Sequence, residues 1–290
     1  MKKNLLALFL VSALVTILVP QSFGFAQERE RRRTATSSST STSTSTSSRD
    51  DSFGRDDLPE RDEFHQSYPL SGGSRVEVQG INGSVQIETI PGGTAEVHIV
   101  RSARNRDDLE YRKVIVEHTA NSLVVRSEKE GEWRGPGRNR DVRQRVMLRL
   151  PRQVDLGVSG VNGQVGVGEI DGPVRLSGIN GRVEVAQAMG YSNISGINGR
   201  VKITVSQLGE KGIHVSGVNG GVELYFSEEL NADLDVTGIN GSVNTEVSNV
   251  TVFGKLDRQN FHAKIGSGGS PIKVTGINGH VKLARAGSPG

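Results

Sequence analysis

Cysteine is absent from this 290-residue chain, tryptophan occurs once, and aromatic residues make up only 4% of it. Without a thiol there is no disulfide scaffold, no cysteine-ligated zinc or iron–sulfur site and no cysteine nucleophile. A lipid-anchored lipoprotein is excluded on the same ground, because its lipid is carried by a cysteine. Helical periodicity is nearly missing as well: Arg104 to Arg112 is the one weak candidate for a helix. Charge of one sign is not in excess, since 35 basic residues against 32 acidic ones leave +3. Past Val19 no apolar run is long enough to span a bilayer. Glycine, by contrast, is abundant. The chain has 37, nearly twice the share of roughly 7% usual in proteins. They follow no triplet period, so collagen is excluded.

The first residues read as an address. Lys2 and Lys3 precede an apolar run from Leu5 to Val19, then Pro20, and Gly24-Phe25-Ala26 stands before Gln27. Basic start, apolar middle and small residues before a cut are the layout of a secretory signal peptide. The run is shorter than the roughly 20 residues a spanning helix needs. Residues 1–26 are therefore read as a signal peptide, with the mature chain in the periplasm, on the cell surface or released. Composition then shifts abruptly. Gln27 to Arg33 is a charge run, Thr34 to Ser48 is Ser and Thr except for Ala35, and Arg49 to Glu63 is charged again. Such a stretch buries too little apolar surface to offset chain entropy. It predicts a disordered linker over 27–67, a spacer or a glycosylated stalk.

From about Tyr68 one unit recurs around Gly-(Ile/Val)-Asn-Gly. Its asparagines are Asn82, Asn162, Asn180, Asn198, Asn219, Asn240 and Asn278, at spacings of 80, 18, 18, 21, 21 and 38. Three residues after each stands Val, and four before each stands Val, Leu or Ile. Three before each, from the second copy on, is Ser or Thr. Apolar residues alternate on both sides of the centre, which is strand behaviour. Two arrangements compete. Asn-Gly can close a tight antiparallel hairpin, or it can turn the chain at the corner of a coil stacked on the previous coil.

Stacking is the expected arrangement. It lays like on like, producing an Asn ladder, a Val column and a Ser/Thr column, and amide ladders stabilise stacked strands. It also makes Glu184, Lys202 and Glu223 neighbours that alternate in sign. The predicted fold is all-β: a β-solenoid, a single-stranded β-helix-like stack with irregular capping strands at its N-terminal end. Repeats occupy 151–285, a strand-rich part occupies 68–150, and 286–290 is a tail. The 38-residue gap before Asn278 reads as two coils, one with a degenerate centre. The 80-residue gap holds strand-like runs at 95–101, 113–118, 122–127 and 145–150, expected to block edge-on pairing with other chains.

The repeated Ser-Gly-Ile-Asn-Gly-x-Val-x-Val resembles the bacterial putative-adhesin family of β-strand-repeat proteins. So do the Leu150-Pro151 step into the repeats and the late Lys264-Ile265-Gly266-Ser267-Gly268-Gly269. The likeness covers roughly residues 70–285. It implies a β-solenoid in exported or envelope proteins. It implies no established activity and brings no functional residues to carry over.

Enzyme motifs are scarce. Gly266-Ser267-Gly268-Gly269 is a poor dinucleotide loop, because Pro271 and the lack of a following helix oppose it. The six histidines are scattered, so neither a metal site nor a cofactor is expected. Carbohydrate-active β-helix enzymes need clustered carboxylates; Asp233 and Asp235 lie two apart on one strand and share a face, but no other repeat supplies acids at the matching slots. One basic patch remains: Trp133, Arg134, Arg138, Arg140, Arg143 and Arg145. Guanidinium forks suit phosphate and carboxylate, so the expected partner is an anionic glycan or lipid of the envelope or its surroundings. Nucleic acid is not expected at that address. The expected role is a non-enzymatic scaffold or adhesion module. A carbohydrate-active enzyme and a self-assembling envelope protein are the alternatives.

Overall fold

The computed structural model describes residues 58–129, 142–187, 190–227, 229–247, 250–253 and 260–286. The expected signal peptide at 1–26 and most of the expected linker lie outside these residues. Period-2 alternation produces strands nearly everywhere. They are β1 (Glu60–Pro69), β2 (Ser74–Gln79), β3 (Gly83–Ile90) and β4 (Thr94–Ala103), followed by the short helix α1 (Arg106–Tyr111). Next come β5 (Arg112–Thr119), β6 (Ser122–Lys129), β7 (Arg143–Pro151), β8 (Val154–Ser159) and β9 (Asn162–Ile170). The chain continues with β10 (Val174–Gln187), β11 (Ser192–Val205), β12 (Ile213–Asn219) and β13 (Val222–Phe226). It closes with β14 (Ala232–Thr245), β15 (Val250–Phe253), β16 (Asn260–Ile265) and β17 (Ser270–Arg285). All belong to one 17-stranded sheet.

The repeats pair in parallel, in register, with identical residues opposite each other. β10 on β11 aligns Asn180 with Asn198, Val183 with Val201 and Val185 with Ile203. Each repeat thus forms one level of a stack, bent at its Gly-(Ile/Val)-Asn-Gly corner. The first glycine of every corner lies at φ +59° to +69°, a region that favours glycine. The second is required by its neighbour: a Cβ on Gly199 would overlap the carbonyl oxygen of Gly181. Between them the Ile or Val turns inward and is at most 4% exposed in every copy. One continuous apolar core results from these corner residues and the alternating Val, Ile and Leu columns. Each fully buried aliphatic side chain contributes about 1.5–3 kcal/mol, so the columns carry the stability.

Spatial order departs from chain order at both ends. From one end to the other the levels run β6/β7, β2/β3, β8/β9, β10, β11, β12/β13, β17 and β14. The two coils expected in the 38-residue gap are therefore not formed. β17 inserts between β13 and β14, so Asn278 lies beside both Asn219 and Asn240. The gap residues instead build β15 and β16, which add antiparallel strands outside β14.

At the other end, the runs expected to cap the sheet do form strands, but two of them make a further parallel level. β6 pairs with β2 and β7 with β3. In this level Arg126 lies opposite Gln79 and Gln144 opposite Gly83. β4 and β5 then pair antiparallel to β7 and β6. The linker expected over 27–67 ends earlier, because residues 60–67 belong to β1, antiparallel to β4. That strand is mostly polar, with Phe64 and Tyr68 its only large apolar residues, so no clear alternation marks it; backbone pairing, ion pairs and the packing of Tyr68 against the core hold it to the edge. The expected boundary at 150/151 falls between β7 and β8, two strands of the same sheet. The weak helix signal corresponds to α1, whose Asn105 side chain accepts a 2.9 Å bond from the Asp108 N–H as an N-cap.

Candidate functional site

The corner asparagines form an unbroken chain of amide hydrogen bonds. Asn162 Nδ2 donates to Asn82 Oδ1 at 3.1 Å, and Asn180 and Asn198 each donate to the preceding amide at 3.2 Å. Asn219 donates to Asn198, Asn278 to Asn219 and Asn240 to Asn278, all at 3.1 Å. The series starts at Asn82, whose Nδ2 donates to the Val142 carbonyl at 2.9 Å. A carbonyl only accepts, so this contact sets the sense of every amide along the ladder. The Asn82 N–H donates to Gln144 Oε1 at 3.0 Å, and the Gln144 amide donates to Ser127 Oγ at 2.9 Å. Gln144 is 2% exposed and closes the ladder where β7 begins. Each amide inside the ladder spends one N–H and one lone pair on its neighbours, keeping a second of each for solvent or a ligand, while Asn240 at the end spends one N–H.

Two outward columns flank the ladder. On one side, at Ser159, Ser177, Ser195, Ser216, Thr275 and Thr237, every level from β8/β9 onward presents a hydroxyl. On the other side lie Ser84, Gln164, Arg182, Arg200, Gly221, His280 and Ser242. Arg182 faces Arg200 directly across the strands, and both are exposed. The His280 imidazole lies where a side chain on Gly221 would stand. Arg145 extends this column by one level, opposite Ser84. Across the seven asparagine levels these three columns hold no carboxylate.

Acids appear one outward column further on. There Glu184, Lys202, Glu223 and Lys282 are successive neighbours that alternate in sign. Lys202 Nζ sits 5.1 Å from the Tyr225 ring centroid, and Tyr225 Oη donates to Glu223 at 3.1 Å. Burial first, and that bond second, push the Tyr225 hydroxyl up from its ordinary value. Lys282 is held above its ordinary value mainly by its bond to Glu246, 3.2 Å away. Arg200 Nε lies 3.4 Å from Glu223, so one of the two facing arginines is partly balanced.

Of the predicted basic patch, Trp133, Arg134, Arg138 and Arg140 lie outside the described residues. Arg143 and Arg145 begin β7, at the corner position of its level. Arg145 joins the column of Arg182 and Arg200, residues that sequence reasoning did not single out. Their signal was present in the repeat, at the second residue after each asparagine, but His280 enters the column only through the insertion of β17.

Two clefts lie away from the ladder. One, about 380 Å³, opens beside β1 and β4 with Asp62, Glu63, Phe64, Tyr68, Arg101 and Val114 among its walls. Its charges are paired: Arg101 with Asp62, and His98 Nε2 with Glu63 at 2.7 Å. The His98 bond, assisted by Arg61, holds the Glu63 carboxyl below its ordinary value. The other, about 320 Å³, contains Asp233 and Asp235. Each aspartate faces a basic residue across the sheet: Asp233 opposes Lys264, while Asp235 opposes Lys273 and His262, with His262 Nδ1 3.1 Å from its carboxylate. Two carboxylates so matched do not form an acid–base dyad. Among the described residues, no group of three or more His, Asp or Glu side chains is placed to hold a metal. Among them, too, no helix is long and apolar enough to cross a membrane.

No family model matches the chain, and no curated protein matches it. Solved structures similar to it include a putative cell adhesion protein from Clostridium sporogenes, 13% identical over 78% of this chain and 100% of that one, with a TM-score of 0.38. A putative adhesin from Bacteroides fragilis is 11% identical over 78% of this chain and 98% of that one, with a TM-score of 0.29. A putative adhesin from Parabacteroides merdae is 14% identical over 77% and 96%, with a TM-score of 0.25.

Proposed function

We propose that the chain is an exported, non-enzymatic β-solenoid that serves as a scaffold or adhesion module of the bacterial cell envelope. One observation carries this reading: seven corner asparagines joined in register into a single ladder, with a polar face on either side of it. A regular face of this kind offers the same small set of donors and acceptors again and again. It suits multivalent contact, in which many weak interactions add. The signal-type N-terminus supports export, and the Ser/Thr-rich stretch after it supports a spacer that holds the folded part away from its attachment. The experiment is retention of the exported protein on envelope fractions from the source cells, against a variant with asparagine ladder positions replaced by Asp. Like charges stacked one level apart disrupt the face. Retention by the parent protein and its loss in the variant support the reading; equal retention of both contradicts it.

A second reading has one observation in its favour. Among the described residues, the outer edge of β14 from Ile239 to Thr245 has no strand partner. An open edge can add a strand from another copy, giving end-to-end assembly. Concentration-dependent sedimentation separates this from a monomeric module.

A further inference from the structure

The corner face is selective in charge, and the selection points to a ligand. Across seven levels, the hydroxyl column, the asparagine ladder and the column beyond it contain no Asp or Glu, although the chain holds 32 acidic residues. Within this strip, positive charge lies along one margin. Arg145, Arg182 and Arg200 share a single column, with His280 further along it. Arg145 and Arg182 are exposed and make no ion pair among the described residues. Resting on the adhesion reading above, we infer that this strip binds a linear acidic polysaccharide, laid along the stack with its carboxylates toward the arginine margin.

The chemistry fits such a chain in three ways. Levels about 4.8 Å apart give a track roughly 29 Å long over the seven asparagine levels, so an extended polymer meets the same groups repeatedly. Sugar hydroxyls both donate and accept, as do the free N–H and lone pair left on each ladder amide and the adjoining Ser and Thr hydroxyls. Guanidinium forks take carboxylates in a bidentate manner. A lipid surface fits less well. Membrane-surface binding relies on apolar and aromatic side chains that enter the interface. Among the described residues, the one large apolar side chain that is exposed, Phe64 at 37%, lies on β1, away from the strip.

The test uses the exported protein with three probes: a soluble polyuronate, an uncharged linear glucan, and vesicles of phosphatidylglycerol with phosphatidylcholine. The variants are Arg182→Ser with Arg200→Ser, and Arg175→Ser as a control. Arg175 is also exposed and outward but pairs with Asp155 outside the strip. Thermal melts establish that each variant folds. The expected result is polyuronate binding that weakens as salt rises, falls about tenfold in the double variant and is unchanged in Arg175→Ser. No polyuronate binding overturns the inference, as does binding to vesicles alone, equal binding of the uncharged glucan, or an equal loss in Arg175→Ser. Envelope retention without polyuronate binding defeats this inference and leaves the adhesion reading standing; loss of both defeats both.

Discussion

The middle of the stack and its two ends are built from the same unit by different rules. From β8 to β13 each level lies on the one before it in the chain, joined by connections of similar length. At the ends, chain neighbours are not spatial neighbours: β6/β7 lies outside β2/β3, and β17 slips between β13 and β14. The repeat makes any level complementary to any other, since the same glycines, the same Asn and the same apolar columns meet at each interface. It does not say which two levels meet. Connection length alone does not say it either. From Asn162 to Asn219, steps of 18, 18 and 21 residues each move the chain to the next level, but the equal 21-residue step from Asn219 to Asn240 crosses two and leaves the level that β17 fills. Where 38 residues separate two asparagines, the added residues form β15 and β16 and let β17 return inside. Charge agrees with the insertion, because it places Lys282 between Glu223 and Asn244 and continues the alternation from Glu184.

The largest effect that separates centre from edge is deletion. Removing residues 270–290 takes away β17, which has a neighbour on each side, and exposes the core between β13 and β14. The expected outcome is loss of a cooperative melting transition. Removing residues up to Pro69 takes away β1, which among the described residues is paired on one side only, and a cooperative transition remains. If the two truncations melt alike, β17 is not central.

Glycine substitutions make the same contrast on a smaller scale. Gly199→Ala forces a Cβ into the Gly181 carbonyl, an overlap with backbone that costs on the order of 4 kcal/mol. Gly92→Ala, in the turn between β3 and β4, meets nothing within 4 Å and strains only its own φ of +104°, about 1–2 kcal/mol. Denaturant titration should rank them in that order. Ile197→Ala, at a corner residue 1% exposed, falls between them at about 3 kcal/mol.

The ladder itself gives a smaller difference. Asn198→Ala breaks two amide bonds, whereas Asn240→Ala, at the end of the series, breaks one. At about 0.5–1.5 kcal/mol per bond, the first should cost about twice the second. Equal losses would mean that the ladder bonds contribute nothing separable. The smallest effect is in pH at the β1 edge. Glu63 is held below its ordinary value in the folded chain by His98 and Arg61. Its stabilisation is therefore present above the unfolded value and is lost as pH falls through the folded one. Glu63→Gln should flatten the acid limb of stability against pH, with little change at neutral pH.

Much of the middle was legible because each interior residue obeys one rule. Val183, Val201 and Val222 alternate with polar neighbours, and the flanking glycines mark each corner. β1 was not legible: between Glu60 and Tyr68 only Phe64 and Tyr68 are apolar, too few to mark a face, and an edge strand needs little more when its partner supplies the backbone bonds. That β6 and β7 share one level was hidden too, since far more chain separates Arg126 from Gln144 than the three residues between Gln79 and Gly83. The insertion of β17 could not be read from spacing, because a 38-residue gap also accommodates two further coils. Arg182 and Arg200 stood in view in the repeat, but a column becomes a surface only when the neighbours of each level are known.

A cysteine-free chain allows the order of the levels to be read directly. In the structure, Ser216 lies beside Thr275, and Thr275 beside Thr237. Adjacent levels fall within the roughly 4.4–6.8 Å of Cα separation that a disulfide spans, and two levels, at about 9.6 Å, do not. Mild oxidation should therefore join Ser216→Cys to Thr275→Cys in one double variant and leave Ser216→Cys with Thr237→Cys unjoined in another. The reverse pattern would place β14 directly on β12 and β13, and would contradict the insertion of the last strand into the stack.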